Sequence, residues 1–560
     1  MTTSSRSHRL RRTALATAVA LAAGTLLSAG PASGAGHDGS AAADKTPLAA
    51  RELKPRLDLN NDWYGDRVYR TPLNAGIAIK ELDGSDSGHA YGLGDTTEVA
   101  RDVVALGNIR GGWGTELLRW LPDGRVSLQQ AYETAVQAPT WTGTGWQIYN
   151  KLIATNDITG DGRPDIVART YSGDLYLYRA TGATTGNPFA ARVKIGGGWG
   201  IYDQIVGTGD LDTDGHGDLV AKSPDGNLYY YKGTGTASAP FKARTLVGGG
   251  WNIYSKLFAA DYSAGSKNGL NAIGTDGTVY FYPSKGNGVF DTRMFGGGPM
   301  SVKWTQADVV VNSGVTPVYG KHGITAVDAS GGVWAYTNLT TGRFDGKQQK
   351  LAQSVPTGAK LFSAAGVDQK NRVTRYVLTG STLTTLITGS TVKGDFTNTR
   401  LIFGPGDLTG DGKGDLLTVD TSGVLWLRSN TGSATGFANP VRVGSGWKTS
   451  LIVGAGDISG DGRPDIVWRG LDGHLYMYRG TGDAAQPFAS GREDVGATGW
   501  DAYTTLTAPG DLNGDGRADI IGTDAKGEVW LHKSTGLGGT KSFSARSYLD
   551  EGWNKYTQTN

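Results

Sequence analysis

The chain has 560 residues, with 54 Lys and Arg against 52 Asp and Glu, seven His and no Cys. That length accommodates several ordinary domains or one large repeat array, and the lack of cysteine excludes a disulfide scaffold. Glycine is abundant at 88 residues, yet apolar runs recur throughout, which excludes a low-complexity chain.

Residues 1–35 read as a signal peptide, with Arg6, Arg9, Arg11 and Arg12 as the positive end, Thr13 to Ala29 as the apolar stretch and Ala32 to Ala35 as the small-residue exit. Arg11-Arg12 permits a twin-arginine route. Removing this leader takes four Arg and no acid, turning a formal charge of +2 into −2, and five bound divalent ions would bring it to +8. Net charge therefore argues neither for nor against an anionic partner. Residues 36–98 read as a linker and N-terminal extension, in which Trp63 to Thr97 carries one apolar run, Ala75 to Ile79, suited to a strand pair.

From Val99 the chain reads as strands. An early unit, Val99 to Trp141, has three plausible strands and no acidic loop. The first such loop follows: Asp157, Thr159, Asp161, Arg163 and Asp165 stand at positions 1, 3, 5, 7 and 9, with Gly162 at position 6. The same offsets recur as Asp210, Asp212, Asp214, His216 and Asp218; as Asp407, Thr409, Asp411, Lys413 and Asp415; as Asp457, Ser459, Asp461, Arg463 and Asp465; and as Asp511, Asn513, Asp515, Arg517 and Asp519. Oxygen side chains at 1, 3, 5 and 9 around an invariant glycine suit a hard cation taking six to eight oxygens, with the position 7 carbonyl as a further ligand because its side chain varies. Asp-Gly turns of a β-rich chain are the bland alternative. Five copies that gather sixteen carboxylates argue against it, since such acids repel one another without a cation. No bidentate Glu follows at position 12; an apolar pair such as Ile466-Val467 starts at position 10, so each loop leads into a strand.

Two other markers keep step with loops spaced 53, 50 and 54 residues apart. One is Gly-Trp, at Trp146, Trp199, Trp251, Trp447, Trp500 and Trp553; the other is an alternating strand such as Leu175-Tyr176-Leu177-Tyr178. Each unit reads strand, loop, strand, Gly turn, strand, Thr-Gly turn, strand. The stretches around Asp261 to Gly265, Val309 to Thr340 and Ser363 to Thr388 keep strands without a complete loop. Four short antiparallel strands every ~50 residues predict an all-β fold over residues 99–560, a single β-propeller of about eight blades, with seven as the alternative count. Trp553 to Gln558 repeats only a first strand and is expected to close the ring by pairing with the earliest blade.

These residues resemble the FG-GAP/VCBS repeats, as in the β-propeller of integrin α subunits and many secreted bacterial proteins. Phe403-Gly404-Pro405-Gly406, Val453-Gly454-Ala455-Gly456 and Ala508-Pro509-Gly510 look like worn forms of the motif that names the family. The resemblance implies a calcium-bearing propeller used for adhesion or recognition, with ligands on the face away from the calcium loops.

No His pair has zinc spacing, and neither Gly-x-Ser-x-Gly nor a phosphate-loop pattern occurs. The Gly-Trp markers read first as wedges between blades; the functional alternative is an aromatic ligand face built from Trp199, Tyr202, Trp251 and Tyr254. The expectation is a secreted, monomeric, non-enzymatic module with up to five Ca²⁺ sites that recognises an extracellular glycan or protein, with no nucleic-acid partner and no membrane span. A propeller-based polysaccharide lyase or glycoside hydrolase, or a structural component of an extracellular assembly, are the rival readings.

Overall fold

The computed structural model describes residues 55–61, 65–70, 77–80, 90–91, 98–111, 114–133, 135–260, 268–297, 307–317, 323–338, 340–344, 348–448, 451–496 and 498–560. Residues 1–35 and Asp261 to Gly265 lie outside them.

Short strands build the sheets; several inner strands, such as Asp102–Gly107 and Tyr149–Thr155, are buried at every position, and third strands such as Leu175–Tyr178 and Leu228–Tyr231 alternate. Leu175 and Leu177 are buried while Tyr176 and Tyr178 are half-buried, because successive side chains point to opposite faces. The strands pair antiparallel in chain order into blade-like sheets, nearly all four-stranded. No helix among the described residues is long and apolar enough to cross a membrane.

The propeller class is as expected, and strand pairing adds how the blades are grouped. Blade 1 takes Arg67–Arg70, Ile77–Lys80 and Ala90–Tyr91, completed by Val309–Val310, which pairs with Arg67–Arg70. Blades 2 to 5 begin on Asp102–Gly107, Tyr149–Thr155, Gln204–Gly209 and Tyr254–Ala260. Blade 6 takes Gly323–Asp328, Gly332–Thr337 and Gln349–Ser354, completed by the last strand of the chain, Tyr556–Thr559. Blades 7 to 10 begin on Lys360–Ala364, Thr399–Gly406, Ile452–Gly456 and Tyr503–Gly510. Each group of five is therefore fastened by a late strand added to its earliest blade.

The apolar cores give the same partition. Among the described residues, successive blades 1 to 5 share one core per junction, and a fifth core, with Tyr69 and Val310 against Phe258 and Ile273, joins blade 5 back to blade 1. Blades 6 to 10 repeat this, with Ile324 and Tyr336 against Ile521 and Leu531 joining blade 10 to blade 6. Among the described residues no core spans the two groups. The molecule has two rings of five blades rather than one ring of eight. Arg67–Arg70, Ile77–Lys80 and Ala90–Tyr91, expected in an extension, are part of the first ring, and Tyr556–Thr559 closes the second ring rather than meeting the earliest blade of the chain.

The first ring is plugged. Arg56 is buried among the innermost strands and donates to the carbonyls of Ala154 and Gly207, the latter at 2.7 Å. Gly207 has to be glycine, since a Cβ there would run into the Ala154 carbonyl of the next blade.

Candidate metal centres

The five acidic loops join first and second strands in blades 3, 4, 8, 9 and 10, and all five share one backbone path. Position 4 is left-handed in every copy, glycine in four and Thr213 (φ 64°) in the fifth. Position 6 is left-handed glycine throughout, from 82° at Gly162 to 92° at Gly462. That fold aims amides at the position 1 carboxylate. The amide of position 6 donates to its Oδ2 at 2.6 Å in Asp157, 2.8 Å in Asp210 and 2.7 Å in Asp407, Asp457 and Asp511. Position 5 accepts from the position 7 amide, as in Arg463 to Asp461 at 2.8 Å. Position 9 is buried and accepts from the position 2 amide, as in Leu211 to Asp218 at 2.9 Å.

The acids are crowded and poorly hydrated. Burial, followed by repulsion from Asp161, pushes Asp165 up to about 8, and burial with repulsion from Asp407 does the same to Asp415. Burial raises Asp218 and Asp457 to about 7 and Asp511 to about 6, and holds Asp465 and Asp519 well above the carboxylate range. Carboxyl groups kept this far from water need protons or a cation.

The donors suit a hard divalent ion. Asp210, Asp212 and Asp218 each bring one oxygen within 4.8 Å of the others. Oδ1 of Asp212 and Oδ1 of Asp165 are buried without a hydrogen-bond partner. A cation already stands against the outer oxygens of this loop: Lys232 Nζ contacts Asp212 and lies 2.9 Å from Asp214. The position 7 side chains go separate ways, Lys413 to Asp411 at 2.9 Å and Arg463 over the Tyr171 ring at 4.8 Å, while the backbone beneath them stays constant.

The blade order puts the loops and the 3–4 turns on one face of each ring and the 2–3 turns and Gly-Trp markers on the other. The loop face of the second ring meets the opposite face of the first. Asn150 donates to the Asp461 carbonyl at 2.8 Å, Lys256 to the Gly514 carbonyl, and Arg517 pairs with Asp203 at 2.8 Å. Gly462 faces Asn150 and Tyr171, and Gly516 faces Val315 and Thr316. At the axial mouth of the second ring this contact encloses a cavity of about 410 Å³, lined by Arg101, Tyr171, Pro405, Asp407, Asp457 and Arg463 among others.

Trp199, Tyr202, Trp251 and Tyr254 do not form an open ligand face. Trp199 and Trp251 are only 8 % exposed, and both tyrosines are buried. Trp199 packs on Tyr231 at 4.3 Å and Trp251 on Tyr282 at 4.8 Å, while Tyr202 shares a hydroxyl hydrogen bond with Tyr231 at 2.7 Å. The backbone amides of Trp146, Trp199, Trp251, Trp447 and Trp553 also clip their blade to the one before it around the ring, as in Trp199 to the Gly173 carbonyl at 2.9 Å. These four rings are packed as wedges between blades.

The sequence reading overlooked an arginine just before the outermost strand of several blades. Arg192, Arg244, Arg293 and Arg546 lie over Tyr176, Tyr229, Tyr280 and Trp530 at 4.6, 4.4, 4.4 and 4.1 Å. Their common place in the repeat was the available signal.

No curated protein matches the chain. Among solved structures, the BP39L lectin from Burkholderia pseudomallei aligns over 72 % of this chain and 99 % of its own at 14 % identity, with a TM-score of 0.26. The structure of BBS1N in complex with ARL6DN aligns over 58 % of this chain and 90 % of its own at 13 % identity, with a TM-score of 0.20. Neither overlap is close enough to carry an argument. A family model for the FG-GAP-like repeat matches residues 157–221, 407–468 and 457–522, which take in all five acidic loops. The chain therefore carries FG-GAP-like repeats over these stretches.

Proposed function

We propose that the protein is an exported, calcium-stabilised recognition module that binds an extracellular glycan or protein without turning it over. The observation that carries the reading is the backbone geometry shared by the five loops, together with the convergence in one of them of half-buried Asp210 and Asp212 with buried Asp218 on a place suited to a hard cation. In each loop the side chains at positions 1, 3, 5 and 9 and the carbonyl at position 7 would hold Ca²⁺. The conspicuous acids are then committed to holding blades together and are not free for acid–base chemistry.

Each site stabilises the fold by mass action, about 4 kcal/mol when free calcium is a thousandfold above its dissociation constant. Two further parts of the reading are export through the leader at residues 1–35 and a monomeric state. The test is calorimetric titration of residues 36–560 with Ca²⁺, followed by a polysaccharide-binding panel scored for both retention and product. An unchanged titration and melting curve would remove calcium, and unsaturated or reducing ends in the panel would replace recognition by catalysis.

A further inference from the structure

We propose that the outer rim of the first ring binds a polyanionic polysaccharide through a row of fixed guanidinium groups, Arg192, Arg244 and Arg293, one on each of three successive blades. This deepens the recognition reading above and rests on it.

The three arginines repeat one geometry. Each stacks on a tyrosine of its own blade, and each donates to the hydroxyl of a tyrosine at or just before the start of a first strand: Arg192 to Tyr149 at 2.6 Å, Arg293 to Tyr254 at 2.8 Å, and Arg244 to Tyr202. The guanidiniums are held from two sides while the residues stay exposed. None of the three forms an ion pair with a carboxylate among the described residues, although Arg293, after hydrogen bonds from Thr278, lies close enough to Asp276 to help hold that carboxyl below its usual range. An exposed arginine usually spends conformational entropy on meeting an anion, and here much of that freedom is already lost.

The surroundings select the ligand. Each arginine is followed on the edge strand by an exposed apolar side chain, Val193 at 49 %, Leu246 at 63 % and Phe295 at 67 %. A sugar chain offers both apolar C–H faces and, when it carries carboxylates or sulfates, anions at regular intervals. Nucleic acid is the poorer fit. The accessible faces of Tyr176, Tyr229 and Tyr280 are covered by the guanidiniums and are not free to stack bases. Charged groups also protect exposed strand edges from pairing, but that role needs no fixed guanidinium geometry. The second ring carries the arrangement less completely: Arg546 lies over Trp530 and donates to the Tyr503 hydroxyl at 3.1 Å, Arg492 lies over Tyr476 at 3.9 Å, and Lys350 replaces arginine over Trp334, so the run on three successive blades is found in the first ring.

The experiment uses residues 36–560 in calcium and measures binding to size-defined heparin oligosaccharides, polygalacturonate, neutral dextran and duplex DNA. Heparin or polygalacturonate is expected to bind, and the triple variant Arg192→Gln/Arg244→Gln/Arg293→Gln to weaken that binding roughly tenfold or more with a shallower salt dependence. The triple lysine variant, which keeps charge and loses the fork, is expected to fall between. A melting curve is recorded for each, and should the glutamine variant unfold, the lysine variant and Arg244→Gln alone are read against wild type. Unchanged affinity in the folded variants overturns the proposal, as does DNA binding as tight as heparin binding. Binding confined to neutral dextran overturns it while keeping the recognition reading, and binding to none of the polysaccharides overturns it as well.

Discussion

Nη1 of Arg517 lies 2.8 Å from Oδ2 of Asp203, joining position 7 of the blade 10 loop to the start of blade 4 across the contact between the rings. Lys222 meets the same oxygen at 2.6 Å, and the other amino group of Arg517 meets Asp515 at 2.7 Å. One acid of the first ring thus balances two buried cations, one of which belongs to an acidic loop of the second. Asp203→Asn leaves Lys222 without its counter-charge and Arg517 with Asp515 alone, and removing one partner of a buried pair costs about 3–5 kcal/mol. A clear fall in melting temperature is expected, with partial recovery in Asp203→Asn/Arg517→Met. An unchanged melting curve for the single variant would show that the pair contributes nothing.

Calcium and pH should act on stability together. In the metal-free folded state Asp165, Asp218, Asp415 and Asp457 keep protons up to about pH 7 or 8, whereas the unfolded chain loses them near 4. The folded state therefore binds more protons between those values, and its stability falls as pH rises through that window. In chelator, the melting temperature is expected to drop from pH 5 to pH 8; in saturating calcium the drop should vanish, because the ion takes the place of the protons. Equal pH slopes in the two conditions would mean that the loops hold no cation.

The loops were legible because five copies held the same offsets, and their shared backbone follows from the glycine at position 6. The ring partition was not. Its evidence is two short strands, Val309–Val310 and Tyr556–Thr559, whose partners lie more than two hundred residues earlier, so no local period reveals them. The ligand face was misplaced for a related reason. Gly-Trp spacing gives the blade junction but not the depth of the ring, and Trp199 and Trp251 go inward. The rim arginines were visible in the repeat, but their stacking on tyrosine depends on cross-strand register.

His532 supplies a pH response of the opposite sign. Burial, followed by repulsion from Arg546, lowers it to about 4, and its Nε2 lies 2.9 Å from the Tyr503 hydroxyl. The unfolded chain binds this proton near 6.5, so stability falls as pH is lowered from 6.5 toward 4. In saturating calcium, His532→Phe is expected to flatten this part of the melting profile relative to wild type. A profile as steep as that of wild type would place the response elsewhere.

Trp251 tests the wedge reading. Trp251→Ala opens a large cavity between blades 4 and 5 and should cost about 3–5 kcal/mol. Ile253, two residues on and 52 % exposed, should accept serine within about 0.5 kcal/mol. Denaturant titrations compare the two. If Trp251→Ala were as stable as Ile253→Ser, the ring would not be a wedge and a ligand role would return.

The placement of the loops predicts that equivalent substitutions act differently in the two rings. Asp161 and Asp461 hold the same position 5 in blades 3 and 9, but the carbonyl of Asp461 accepts from Asn150 of the first ring at 2.8 Å, and Gly462 beside it packs against Asn150 and Tyr171. The loop of Asp161 lies on the face of the first ring turned away from the second. Replacing either acid by Asn removes one charged oxygen and should weaken one calcium site by a similar amount in calorimetry. Only Asp461→Asn should then disturb the contact between the rings, because the loop that relaxes there is part of that contact. Small-angle scattering in calcium measures this directly: Asp161→Asn should keep the wild-type radius of gyration, and Asp461→Asn should increase it. Equal radii for the two variants, with calcium loss confirmed in both, would show that the docking of the rings does not depend on the loops that form it.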